Sequence, residues 1–240
     1  AASRARKIAS IKSFYKYLTS KAKLLKENPV QDLDSPKIPK ALPRYLTLEE
    51  SRQLLSAVDG RFRERDYCIL CIFLNCGLRI SEIVGLNLAD VRSDNLRVFG
   101  KGGKERVAYL NDATAAAIND YLLVRPTAGA RSNALFLSAR HGRLSREAVH
   151  SMVKKSLLRA GLDADKYSAH KLRHTAATLM LQNGVDVRTL QELLGHENLN
   201  TTQIYTHVDS SELRSAASAN PLGDFRPERP AAGTPDEDDR

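Results

Sequence analysis

The chain has 240 residues, 42% of them hydrophobic and 27% charged, a balance that excludes collagen-like, coiled-coil and fully disordered readings. Its longest apolar run, Cys68 to Leu74, falls far short of the roughly 20 residues a membrane-spanning helix needs. The formal net charge of +9 points to a polyanionic partner: residues 1–26 carry eight Lys or Arg and no acid, residues 231–240 a net −3, and the stretch between keeps the remaining +4.

The basic N-terminus has no apolar h-region, so it does not read as a signal peptide. The sequence does not begin with Met and is expected to be a piece of a longer protein. Ile8, Ile11, Phe14 or Tyr15, and Leu18 fall at helical spacing and predict an amphipathic helix with a basic face. Four of the nine prolines lie within 29–43 and predict a stiff linker; four more lie within 221–235, ahead of Asp236-Glu237-Asp238-Asp239, and predict a disordered acidic tail over 221–240.

Between them the signals are mostly helical. Thr47 and Glu50 form a capping box. Asp66 to Asn75 predicts a buried helix stopped by Gly77, and Ile80 to Leu86 a short helix after it. The period then changes to two. Residues 96–99 and 106–110 flank Gly100-Lys101-Gly102-Gly103-Lys104, which predicts a β-hairpin. Thr114 to Val124 reads as a helix and Leu135-Phe136-Leu137 as a short strand. Ser145 caps a helix to Ala160, Ser168 one ending near Gly184, and Asp186 one over Val187–Leu194 stopped by Gly195. Asn200 with Gln203, and Asp209 with Glu212, mark two further helix starts. Cys68, Cys71 and Cys76 share one apolar stretch with no His nearby, which predicts buried thiols in a reducing cytoplasm rather than disulfides or zinc.

His170 and Arg173, three apart, lie on one helix face. A guanidinium binds a phosphate bidentately and an imidazole can move a proton, although the pair also suits a purely structural contact. His170 and His174 have zinc-like spacing, but Lys171 and Arg173 would repel a dication, so no metal is expected. The Gly100–Lys104 loop lacks the Lys-Ser/Thr and following helix of a nucleotide-binding loop, so no ATP or other cofactor is expected. Either Lys101 or Lys104 could reach from the hairpin tip. Arg79, at a helix start, suits an anion or a surface salt bridge to Glu82. Gly195-His196 follows a helix stop, and Tyr205 lies nine residues on.

Four segments occur in one order over about 130 residues: Cys76-Gly-Leu-Arg-Ile-Ser-Glu-Ile-Val-Gly-Leu86, Phe99-Gly-Lys-Gly-Gly-Lys-Glu-Arg106, Ser168-Ala-His-Lys-Leu-Arg-His174, and Leu193 to His207 with Gly195-His196 and Tyr205. Together they resemble the tyrosine recombinase (phage integrase) family, and within it the Xer-type members. The resemblance implies a mainly α fold with a small antiparallel β-sheet (α+β): a catalytic domain over 45–220, with 1–28 as the remnant of a truncated helical core-binding domain and 29–44 as linker. It implies site-specific cleavage and rejoining of double-stranded DNA through a 3′-phosphotyrosyl intermediate. Tyr205 is then the nucleophile, Arg79 and Arg173 clamp the phosphate, and His196 adds a hydrogen bond. Lys101 protonates the leaving 5′-oxygen and His170 is the general base. The family pattern further implies homotetramers on paired sites, formed through a C-terminal helix at 210–220. The alternatives are a DNA-binding module of the same fold that does not cut, and a type IB-like topoisomerase.

Overall fold

The computed structural model describes residues 2–36, 44–100, 103–126, 132–195 and 209–227, and the chain divides into two units, Ala1–Pro43 and Arg44–Arg240. The first holds helix α1 (Ala2–Ser20). Its apolar stripe is only partly covered: Ile8, Tyr15 and Leu18 are half-buried, while Ile11, Phe14 and Tyr17 are exposed.

The second unit is mostly helical with one two-stranded antiparallel sheet among the described residues. Helix α2 (Leu48–Ser56) opens on the expected capping box: Glu50 N–H donates to Thr47 Oγ1 at 3.1 Å, and Thr47 N–H to Glu50 Oε2 at 2.8 Å. Helix α3 (Arg63–Cys71) runs into a π-helical turn over Ile72–Cys76, a widening that periodicity did not reveal. Every residue from Cys68 to Leu78 is buried, and burial pushes the Cys71 and Cys76 thiols up to about 12, which keeps them protonated and unreactive. Gly77 ends this run at φ +59, and a Cβ there would stand 2.5 Å from Leu194 Cδ2. Both the left-handed backbone and the close approach therefore require glycine.

Helix α4 (Ile80–Gly85) follows, then strands β1 (Asn95–Phe99) and β2 (Glu105–Tyr109), paired with Leu96 opposite Ala108. Helices α5 (Asp112–Val124), α6 (Arg146–Arg159), α7 (Ala169–Gln182), α8 (Val187–Leu194) and α9 (Ser210–Ser218) complete the unit. The main core joins Leu54, Leu55, Phe73, Phe136, Val153 and Leu172. A smaller core, Met180, Leu190, Leu193, Leu194, Ala216 and Ala217, holds α8 between the end of α7 and α9. No helix among the described residues is long and apolar enough to cross a membrane.

Three expectations change. Leu135-Phe136-Leu137 is not a strand: only isolated bridges occur at Ala134 and Leu137. Side chains of the α5 region and single backbone bonds to Leu86 and Leu144, not a continuous strand partner, satisfy its backbone. Tyr121 Oη and Arg125 Nε both donate to Leu135 O, and Leu137 N–H donates to Tyr121 Oη. The tail does not begin at Pro221. Leu222 is 0% exposed in the main core with Phe225 packed against it, and Gly223 O accepts from Ala113 N–H at 2.7 Å; the rest of the expected tail, 228–240, lies outside the described residues. Asp209 stands at the N-cap of α9, the helix start expected there, and its carboxylate takes the Ser210 and Ser211 hydroxyls. Ser168 stands at the N-cap of α7 without a side-chain bond to the helix. The helix start expected at Asn200 also lies outside the described residues.

Leu222 fastens the chain end to the core, so Leu222→Ala is expected to lower stability by about 2–5 kcal/mol in urea unfolding. An unchanged midpoint would contradict that packing.

Candidate active site

The site is built at one end of α8. Asp186 caps the other end, accepting from Arg188 and Thr189 N–H at 2.9 and 3.1 Å. The last carbonyls of a helix have no intrahelical donor and carry the negative end of its dipole. Here three consecutive carbonyls each receive a guanidinium. Arg106 Nη1 donates to Leu193 O at 3.0 Å, Arg173 Nη2 to Leu194 O at 2.8 Å, and Arg79 Nη2 to Gly195 O at 3.3 Å.

The same three arginines surround Glu82, whose side chain is 2% exposed. Arg79 comes from the start of α4; its Nη1 donates to Glu82 Oε1 at 2.8 Å and its backbone N–H to Glu82 Oε2 at 2.7 Å. Arg106 comes from β2, and its Nη2 donates to Glu82 Oε2 at 3.0 Å. Arg173 comes from α7; its Nη1 lies 3.9 Å from the same oxygen and donates to Gly77 O. Burial first, then the charges of Arg79 and Arg106, push Arg173 down to about 10, with Glu82 opposing the shift. At neutral pH Arg173 remains charged. One carboxylate thus faces three guanidiniums, a local excess of two positive charges. The Arg79 side chain, 41% exposed, is the outermost of the three and is open to an anion from solvent.

Arg79 and Arg173 are therefore brought together. His170 lies on α7 one turn before Arg173 and is exposed. His174, one residue after Arg173, packs edge-on against Tyr45 with ring centroids 6.4 Å apart. Burial, then the charges of Lys171 and His170, lower its pKa. Lys101, His196 and Tyr205 lie outside the described residues. The described stretch that holds α8 ends at Gly195, next in sequence to His196, and Lys101 lies in sequence between β1 and β2. No three His, Cys, Asp or Glu side chains gather as metal ligands would among the described residues.

Two residues of the cluster, Glu82 and Arg106, are not among the site residues expected from sequence. Glu82 pairs with Arg79 as the i+3 spacing suggests, but as a buried centre rather than a surface salt bridge. Arg106 shares the inward face of β2 with Ala108, which is buried. The alternation itself gave no signal for this, because Val107 and Tyr109 on the opposite face are at least as apolar as Ala108.

A family model described as the phage integrase family matches residues 44–212. The chain belongs to that family. A tyrosine recombinase XerC from Caldanaerobacter subterraneus subsp. tengcongensis is 59% identical over 221 residues, covering 91% of this chain and 63% of that protein. The chain thus spans less than two thirds of that relative's length. Among solved structures, the XerA recombinase superposes with a TM-score of 0.61 at 30% identity, covering 85% of this chain and 80% of that one. A XerH site-specific recombinase bound to palindromic difH substrate, a post-cleavage complex, gives 0.59 at 30% identity, covering 74% and 53%.

Two outcomes are expected. Glu82→Gln leaves the guanidiniums facing one another and lowers stability by about 3 kcal/mol in urea unfolding, the low end for breaking a buried pair because Arg79 can turn to water. The folded state holds the His174 pKa below its ordinary value, so on acidification the unfolded chain binds that proton first. Stability then falls as pH drops through the ordinary histidine range. Unfolding at pH 7 and pH 5 checks this, with His174→Gln flattening the slope.

Proposed function

We propose that this chain carries the catalytic part of a site-specific DNA recombinase that cuts and rejoins strands through Tyr205 without metal or ATP. The observation that carries the reading is the excess positive charge of Arg79, Arg106 and Arg173 over Glu82, held one residue ahead of His196. A scissile phosphodiester bears one negative charge and its pentacoordinate transition state two. Fixed guanidiniums in a partly dry site stabilise the second more than the first. The likeness to a XerH recombinase bound to its DNA substrate supports DNA as the polyanion.

In this reading the Tyr205 oxygen, relieved of its proton by His170, attacks phosphorus while Arg79 and Arg173 hold the non-bridging oxygens and His196 donates a further hydrogen bond. The bond to the 5′-oxygen breaks, and Lys101 protonates that oxygen as it leaves. The phosphotyrosyl link conserves the energy of the phosphodiester, so an incoming 5′-hydroxyl reverses the step on a new partner. A free tyrosine has a pKa near 10, which is why the nucleophile needs both a base and a cationic surrounding. Residues 1–28 belong to a helical domain that completes the grip on DNA, with 29–44 as linker. The protein works in the cytoplasm as a homotetramer on paired sites through a Holliday junction, in chromosome dimer resolution or mobile-element exchange. The helix at 210–220 joins neighbouring protomers. Here α9 packs on its own α8, and Arg214 pairs with Asp94; exchange requires that docking to open.

The test is a nicked duplex that traps the cleaved strand. Wild type is expected to form a covalent adduct and Tyr205→Phe none. Arg173→Lys is expected to cleave at least about 100-fold more slowly, with DNA affinity within about tenfold, because one phosphate contact among many matters mainly in the transition state. An adduct that survives Tyr205→Phe sinks the assignment of the nucleophile. Absence of any wild-type adduct favours a non-cleaving DNA-binding module. Relaxation of a supercoiled plasmid without regard to sequence favours a topoisomerase.

A further inference from the structure

Arg106 differs from the other two arginines in where its stem lies. Its side chain is 15% exposed, and both terminal nitrogens are committed to the protein, one to Leu193 O and one to Glu82, each at 3.0 Å. Its stem lies across the end of α8: a Cβ on Gly195 would stand 2.6 Å from Arg106 Cδ and 2.7 Å from Nε. Gly195 sits there at φ +66, a left-handed turn that sets the direction in which the chain leaves the helix. Arg106 also belongs to β2, only five residues beyond Lys101. One planar group thus ties three pieces of chain together: the hairpin that carries Lys101, the start of α4 that carries Arg79, and the helix end that runs on to His196.

We infer that Arg106 is a positioning residue: through Glu82 and Leu193 O it fixes the C-terminal end of α8 against the β1–β2 hairpin, and so holds the residues of the site in register with one another. This rests on the reading of the site as a DNA-cleavage centre. Its terminal nitrogens bridge Glu82 and Leu193 O and its Nε is buried against Gly195, so Arg106 acts through these contacts rather than on the phosphate. Its loss therefore acts on the rate of the chemical step rather than on DNA affinity, because a misplacement of about 1 Å costs on the order of 100-fold in rate. Lysine is a poor substitute, since one ammonium replaces two spread arms of a rigid fork.

The experiment uses the full chain and the duplex that wild type captures covalently from a pool of nicked duplexes with randomised sequence. Single-turnover cleavage and duplex affinity are measured for Arg106→Gln and Arg106→Lys, at a temperature where circular dichroism shows each variant folded. Arg106→Gln is expected to cleave about 30- to 100-fold more slowly with affinity within about threefold, and Arg106→Lys to fall between it and wild type. Should Arg106→Gln fail to fold, Arg106→Lys is judged alone, with slower cleavage at unchanged affinity the supporting result. Wild-type cleavage rates in the folded variants, or cleavage that falls only in step with affinity, overturn the positioning role and leave the function reading intact. A wild-type chain that captures no duplex overturns the function reading, and this inference with it.

Discussion

Glu82 is one negative charge held almost wholly out of water and surrounded by three guanidiniums. Such a carboxylate is tolerable only because its oxygens are all but saturated with donors. Those donors come from three separate elements: Arg79 at the head of α4, Arg106 on β2 and Arg173 on α7. The same three side chains end on the carbonyls of Leu193, Leu194 and Gly195. The carboxylate and the helix end are therefore two poles of one network, and the arginines are its struts. Two opposite needs are met at once: the arginines are rigid because they are paired, and they remain attractive to an anion because the pairing is incomplete.

The surrounding fold serves that closeness. The π-helical turn at Ile72–Cys76 delivers Gly77 to a spot where Leu194 would strike any side chain. Gly77 O then accepts from Arg173, and the smaller core behind α8 presses Leu193 and Leu194 inward. Gly195 plays the corresponding part beneath Arg106. Two glycines with positive φ, one on each side of the network, let main chain and guanidinium approach more closely than a Cβ allows.

Much of this was legible in the sequence because it is local. The capping box at Thr47 and Glu50, the cap at Asp186, the hairpin period and the stops at Gly77 and Gly195 are written in neighbouring residues, and the structure has them. Leu135-Phe136-Leu137 misled because an apolar triplet looks the same whether a strand partner satisfies its backbone or Tyr121, Arg125 and single bonds to Leu86 and Leu144 do. Leu222 misled because proline and charge around it outweigh one leucine in composition, although that leucine fills the core. Arg79 and Arg173, named from their motifs, meet at one carboxylate. The burial of Glu82 and the inward turn of Arg106 depend on contacts across 24 and 87 residues of chain, which no local pattern carries.

Glu82 and its arginines act as one unit. A double-mutant cycle of Glu82→Gln and Arg106→Gln, read by urea unfolding of the two single variants and the double, tests it most directly. A coupling of about 1–3 kcal/mol is expected for groups that share a buried network. Losses that add to within about 0.5 kcal/mol would contradict it.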